Sequence, residues 1–299
     1  MLKRFLCVII FTQLMLNYSG LLAQKKRINI EFGDSLKFYA VTMRNDTSLA
    51  NKLLGEFVKN GSTSSTSDIM IMAAKRLLNS KYVAGTLEGE KEQLSIFLSE
   101  TDCILFVETC FNLALCSKQF NEEADFEKFA NLVRLSRYRN GVVERYSDRI
   151  HYTTEWIRQG ENRGVLKDIT KELGGEIYNH PIYYMTKNSN RYSQLKDTAE
   201  VRRIGQIEKT LNKTPFYYIP QSKIKSIQKK IKNGDIICFM SNVKGLDIAH
   251  VAIAYVEGAR VGFIHASITE KKVVVDKKTI FEYVLANKHI SGIKVVRPN

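Results

Sequence analysis

"AHVAIAYVEGARVGFIHAS", residues 249–267, decides how the second half of this chain folds. β-Branched and aromatic residues crowd both sides of Gly258-Ala259, which reads as two strands joined by a tight turn. With those two residues as the turn, Glu257 pairs with Arg260. Carried along the strands, that register sets His250 opposite Ser267 and His265 opposite Ala252. Side chains alternate between faces, so both histidines fall on one face of the hairpin. They become diagonal neighbours, roughly 7–8 Å apart between Cα atoms. The chain has only five histidines. Two on one face suggest a base and a partner that fixes its tautomer. The plainer alternative is two ordinary histidines on a half-buried sheet.

Working outward, "GDIICFMS" (234–241), "KKVVVD" (271–276) and "GIKVVRP" (292–298) read as further short strands. Upstream, residues 28–43 read as one or two strands and 46–61 as a helix. A second helix is expected over 67–83, capped by Ser67 or Asp68. Residues 122–141 read as an amphipathic helix that ends at Asn140-Gly141. Residues 151–173 read as helical with a break at 160–164, 176–192 as extended and tyrosine-rich, and 195–211 as helical. Ile224, Ile227 and Ile231 have helical spacing, which puts the lysines of 222–232 on a solvated helix face. Helices first and an antiparallel sheet later predict an α+β fold.

The first 23 residues have the pattern of a secretory signal: Lys3 and Arg4, the apolar run "FLCVIIFTQLML", then a small residue at Ala23. The expected organisation is a signal peptide at 1–23 and a single domain over 24–299, whose first part, about 24–98, is a helical elaboration. Export predicts a periplasmic or extracellular protein. No later stretch reads as apolar enough to span a bilayer, so no membrane insertion is expected after cleavage. The net charge is +14, which suits an anionic partner. The basic residues are scattered and no recognised nucleic-acid module accompanies them, so nucleic acid is not the expected partner.

Four cysteines follow the signal: Cys103, Cys110, Cys116 and Cys238. Their placement is not that of a disulfide scaffold. Three lie within "SETDCILFVETCFNLALC", 99–116, where Ser99, Thr101 and Asp102 are capping types and the run from Ile104 is almost continuously apolar. Cys103 therefore falls at the N-terminus of a buried helix. There the backbone N–H groups and the positive end of the helix dipole favour a thiolate and can donate to an oxyanion. Cys110 and Cys116 lie deep in the helix and read as core.

"TDCILFVETC", "NGDIICFMSNVKGLDIAHVAIAY" and "GFIHAS", taken in order, resemble the NlpC/p60 superfamily of papain-like cysteine amidases and peptidases. The branch they resemble is the N-acetylmuramoyl-L-alanine amidase-like group common in gut Bacteroidetes. "YVAGTLEGEKEQL", "RYSDRIHYTTEWI" and "GIKVVRP" are also similar to that branch, and the resemblance runs from about residue 70 to the C-terminus. It implies a papain-like core, with the nucleophile helix packed on the C-terminal antiparallel sheet and extra helices inserted. It implies Cys103 as nucleophile, His250 as base and His265 as the orienting residue. Asp102 matches the acid before the cysteine. Arg149, His151 and Trp156 match the branch's R-x-H-Y…W pattern, to which substrate binding is assigned. Leu105 departs from the small polar residue common there, a change expected to reshape the pocket wall.

The implied reaction is hydrolysis of the amide between N-acetylmuramic acid and L-alanine in peptidoglycan fragments, with no cofactor and no metal. Three other functions compete with it. One is an endopeptidase that cuts the stem peptide after D-glutamate, and another is an inactive wall-binding module. The third is a structural zinc site of Cys103, His250 and His265, which lacks the C-x-x-C or H-E-x-x-H spacing usual for zinc.

Overall fold

The computed structural model describes residues 25–32, 36–61 and 64–299. The signal expected at 1–23 lies outside the described residues. In chain order the first elements are β1 (Lys25–Phe32), β2 (Leu36–Met43), α1 (Asp46–Gly61), α2 (Thr66–Arg76), β3 (Lys81–Tyr82), β4 (Leu94–Ile96), β5 (Glu100–Thr101), α3 (Cys103–Phe120) and α4 (Phe126–Arg137). There follow α5 (Thr153–Asn162), β6 (Leu166–Asp168), β7 (Glu176–Ile177), α6 (Tyr184–Lys187), α7 (Thr198–Leu211), β8 (Tyr217–Pro220), α8 (Gln221–Ile227) and β9 (Ile236–Ser241). The last are β10 (Ile248–Glu257), β11 (Arg260–Ser267), β12 (Lys272–Val275), α9 (Ile280–Ala286) and β13 (Ile290–Pro298). The fold is mixed α+β, with both parallel and antiparallel strand pairs. It divides into two compact units.

One unit holds the described residues up to Asp148, together with 265–274. Its small sheet has the order β1-β2-β4, antiparallel then parallel. Helix α3 packs against α1, α2 and α4 and is buried from Leu105 to Ser117. By length and composition α3 could cross a membrane, contrary to the sequence expectation. Its apolar surface is instead accounted for by protein, since 72% of that stretch is buried. Each large side chain so buried contributes about 1.5–3 kcal/mol.

The helix expected at 67–83 is shorter than its apolar pattern suggests. Ser65 is its cap, with Asp68 returning a bond to the Ser65 backbone in a capping box. The chain leaves the helix at Arg76 and turns at Asn79, whose φ of +68° is left-handed. Lys81–Tyr82 then joins β5 in a parallel pair.

The other unit holds Arg149–Ile264 and Val275–Asn299. Strand β10 pairs with β9, β9 with β13, and β13 with β8 and β6, all antiparallel. Ile219, Ile237, Phe239, Phe263, Ile293 and Val295 form the centre of its core. Residues 151–173 are not helical throughout. Helix α5 stops at Asn162, the chain turns through Gly164 (φ +70°), and 166–168 join β13 as β6. The tyrosine-rich 176–192 is extended only at Glu176–Ile177 and then coils into α6. The 222–232 helix tightens into a 3-10 turn at Gln228–Lys230.

The hairpin forms with the expected register. Glu257 pairs with Arg260 and each pair runs in step to Ile253 with Ile264.

Candidate active site

Cys103 opens α3, and Asp102 caps it. The Leu105 N–H donates to Asp102 Oδ1 at 2.9 Å, satisfying one of the amides that a helix start leaves unpaired. Burial lifts the Asp102 carboxyl above the ordinary carboxylate range. The backbone N–H of Leu105, then the Arg137 guanidinium, oppose that shift. Arg137 lies in α4 and donates through Nε (2.9 Å) and Nη2 (2.5 Å) to Glu108 Oε2 of α3. It also donates to the Ser95 carbonyl of β4. Both side chains of this ion pair are almost fully buried. Ser136 Oγ donates to Asn112 Oδ1 at 2.8 Å and ties the same two helices one turn further on. The first half of α3 is thus tied to α4, and Arg137 links both to β4.

Cys103 is half-buried, whereas Cys110, Cys116 and Cys238 are buried, and none of these four is in a disulfide. Burial raises the Cys110 and Cys238 thiols and pushes Cys116 up to about 12. Those three remain protonated core residues at neutral pH. Among the described residues no group of three or more metal-ligating side chains comes together.

His265 is buried in the part of β11 that belongs to the same unit as Cys103. Just beyond it, Ser267 Oγ accepts the Glu270 N–H at 3.2 Å and closes the turn out of the strand.

His250 belongs to the other unit and is also buried. Its ring stacks on Phe239 of β9, with centroids 5.7 Å apart and planes 22° apart. Tyr283 of α9 lies 6.2 Å away. Phe239, Phe263 and Tyr283 in turn pack on one another within 5.5 Å. An apolar wall of this kind holds an imidazole in one orientation. Between Ile248 and His250 the pairing with β9 shifts by one residue, so Ala249 is a bulge. A bulge re-aims the side chain that follows it.

Asp247, immediately before β10, has a role that local sequence does not announce. Its Oδ2 accepts the Thr154 N–H at 2.8 Å, and its Oδ1 accepts the Ile248 N–H at 2.7 Å. Tyr152, the N-cap residue of α5, makes no side-chain cap bond, so Asp247 caps α5 across the fold. Burial raises its carboxyl, against the pull of those N–H donors. Tyr152 instead donates its hydroxyl to Glu208 Oε1 at 2.7 Å and accepts the Met185 N–H at 2.9 Å. Arg149 and Trp156 are buried, while His151 is half-buried. The pairing of Arg137 with Glu108 likewise has no local sequence signal. Only the acidic residue ahead of the histidine strand could have drawn attention to Asp247.

One family model, described as AmiA-like, N-acetylmuramoyl-L-alanine amidase-like, matches residues 72–293. No curated protein matches the sequence. Among solved structures, an N-acetylmuramoyl-L-alanine amidase from Bacteroides uniformis is 31% identical with a TM-score of 0.74, covering 79% of this chain and 100% of its own. A Bacteroides fragilis protein named as a candidate xylanase is 33% identical with a TM-score of 0.71, covering 76% and 99%. A Legionella pneumophila protein shares the fold at 23% identity, with a TM-score of 0.63 over 85% and 94%.

Proposed function

The chain belongs to the N-acetylmuramoyl-L-alanine amidase-like family, and from that premise we propose that it is a thiol amidase acting on peptidoglycan fragments. The bond cut is the amide between the lactyl group of N-acetylmuramic acid and L-alanine. In this reading the fold is a papain-like, NlpC/p60-type core, and the protein is exported and works in the periplasm or outside the cell. One observation carries the proposal: of the four thiols among the described residues, only Cys103 is partly exposed, and it sits on a capped helix N-terminus.

The chemistry follows a cysteine–histidine scheme. His250 takes the Cys103 thiol proton as Sγ adds to the amide carbonyl carbon, and the oxygen that gains charge is stabilised by backbone N–H groups at the head of α3. His250 gives a proton to the alanine nitrogen as the C–N bond breaks, leaving a thioester and a free stem peptide. His250 then takes a proton from water as the oxygen adds to the thioester. Collapse frees the lactyl carboxylic acid and returns the proton to sulfur. His265 acts through His250 by orienting its ring. Arg149, His151 and Trp156 are assigned to the substrate side.

The xylanase name of the Bacteroides fragilis protein implies different chemistry, with two carboxylates flanking a glycosidic bond. Here Asp102 and Asp247 are each bound to backbone N–H groups at a helix start, which argues against their use as an acid–base pair.

Mass analysis of muropeptides incubated with the wild type, Cys103→Ala and His250→Ala tests the proposal. Free stem peptide beginning at L-alanine is expected from the wild type alone. Fragments cut after D-glutamate would favour the endopeptidase reading. Intact muropeptides in every sample would overturn both.

A further inference from the structure

In the unit made of Arg149–Ile264 and Val275–Asn299, helices α8 and α9 pack against each other. Their apolar residues enter one core: Ile224, Ile227 and Ile231 from α8 and the turn beyond it, Ile280 and Val284 from α9. What they leave outside is uneven in charge. Residues 221–234, "QSKIKSIQKKIKNG", hold five lysines and no acidic residue. All five lysines are exposed. The isoleucines take the core side at helical spacing, so the lysines between them are left to solvent. Lys277 and Lys278 lead into α9 and Lys288 follows it, and these are exposed as well.

The carboxylates closest in sequence or by contact are already engaged. Glu176 pairs with Lys223 at 2.8 Å. Asp235 is fully buried, 2.7 Å from Arg297 Nε. Glu282 of α9 accepts the Thr279 N–H at 2.8 Å in a capping box. Lys225, Lys229, Lys230 and Lys232 have no carboxylate partner among the described residues. Like charges held this close repel one another, and an anionic surface relieves that repulsion.

Leu285 supplies a second, independent feature. It lies on α9 and, at 60% exposed, is the barest large hydrophobic side chain among the described residues. A soluble polyanion would neutralise the lysines but give a bare leucine no apolar layer to enter. A bilayer with anionic headgroups offers both, a negative surface and hydrocarbon just beneath it. The patch is also all lysine, a point charge without the fork that grips one fixed phosphate, which suits a diffuse field of headgroups.

We propose that the α8–α9 face is a docking surface for an anionic phospholipid bilayer, with Lys225, Lys229, Lys230 and Lys232 at the headgroups and Leu285 dipping between them. The proposal concerns where the protein sits and stands apart from the amidase reading.

The test is co-sedimentation of the full-length protein with vesicles of phosphatidylcholine alone and of equal parts phosphatidylcholine and phosphatidylglycerol. The wild type is compared with the fourfold variant Lys225→Gln, Lys229→Gln, Lys230→Gln, Lys232→Gln and with Leu285→Gln. A charge-matched control carries Lys52→Gln, Lys59→Gln, Lys91→Gln and Lys209→Gln, exposed lysines on α1, on the connection before β4 and on α7. Residues 1–23 are common to all four proteins, so differences among them read the patch. We expect the wild type to bind the mixed vesicles and hardly the neutral ones. The α8 variant should bind the mixed vesicles about a hundredfold more weakly, the scale of four lysines near a charged surface. The control should lose far less. Leu285→Gln should weaken binding about fivefold, and that part of the affinity should survive when salt is raised from about 0.1 M to about 1 M, where charge is screened. Equal losses in the α8 variant and the control would overturn the docking surface, as would equal binding of the wild type to both kinds of vesicle. Unchanged binding in Leu285→Gln, with the wild type held as tightly by heparin as by the mixed vesicles, would assign the patch to a soluble polyanion and overturn the bilayer.

Discussion

Replacing Asp102 separates two roles that one side chain performs at the head of α3. The carboxylate is a helix cap, bonded to the Leu105 N–H at 2.9 Å, and it is also a charge held where burial disfavours it. Asparagine caps about as well as aspartate and carries no charge, whereas alanine does neither. Losing the cap costs about 1 kcal/mol, within a range of roughly 0.5–2 kcal/mol. The charge adds a pH-dependent part. Because the folded-state pKa is raised above 3.8, the folded protein holds this proton more tightly than the unfolded chain. The group's contribution is then fully present below 3.8 and is lost as pH rises through the folded value. At pH 7 the wild type bears that cost and Asp102→Asn does not. Asp102→Asn should therefore be at least as stable as the wild type at pH 7, and Asp102→Ala about 1 kcal/mol less stable than Asp102→Asn. The advantage of Asp102→Asn over the wild type should shrink as pH falls towards 4. Urea unfolding followed by circular dichroism, compared as midpoints at equal slope, measures all three proteins across pH 4–8. Equal midpoints for the alanine and asparagine variants, or an advantage of asparagine that grows with acidity, would refute the reasoning.

Other perturbations test the scaffold of each unit. Arg137→Met strands Glu108 in the interior and should cost about 3–5 kcal/mol in unfolding experiments, while adding Glu108→Leu should recover much of the loss. Asp247→Ala leaves the Thr154 and Ile248 N–H groups without their acceptor; a loss of about 1–3 kcal/mol is expected, with a smaller loss in Asp247→Asn. Iodoacetamide at pH 8 followed by peptide mapping should label Cys103 in the native protein, and should label Cys110, Cys116 and Cys238 only after urea is added. Gly245→Ala should speed proteolytic nicking at 242–247, because its φ of +82° and the Tyr183 ring leave no room for a methyl group.

The features of the candidate site differ in how far apart their causes lie along the chain. The hairpin register follows from a two-residue turn and the alternation beside it, and the pairs from Glu257–Arg260 to Ile253–Ile264 stand as the sequence implied. Asp102, Cys103 and the apolar run behind them likewise act within one helical turn, so the capped thiol was legible. Helix ends were less so. Apolar spacing continued past Arg76 and Asn162, yet positive φ at Asn79 and Gly164 and pairing with β5 and β13 ended both helices. Tyr178, Tyr183 and Tyr218 line one cavity, although of these only Tyr218 lies in a strand.

By itself, then, the sequence determined the α+β class, the hairpin register and the thiol on its helix head. Each depends on residues a few positions apart, where periodicity and capping are strong. The tertiary structure decided the rest: Asp247 capping a helix 93 residues upstream, Arg137 pairing with Glu108 across two helices, the bulge at Ala249, and the tyrosine cleft closed over Gly245. These depend on which distant groups become buried together. A buried carboxylate or amide must find a partner wherever the packed chain supplies one.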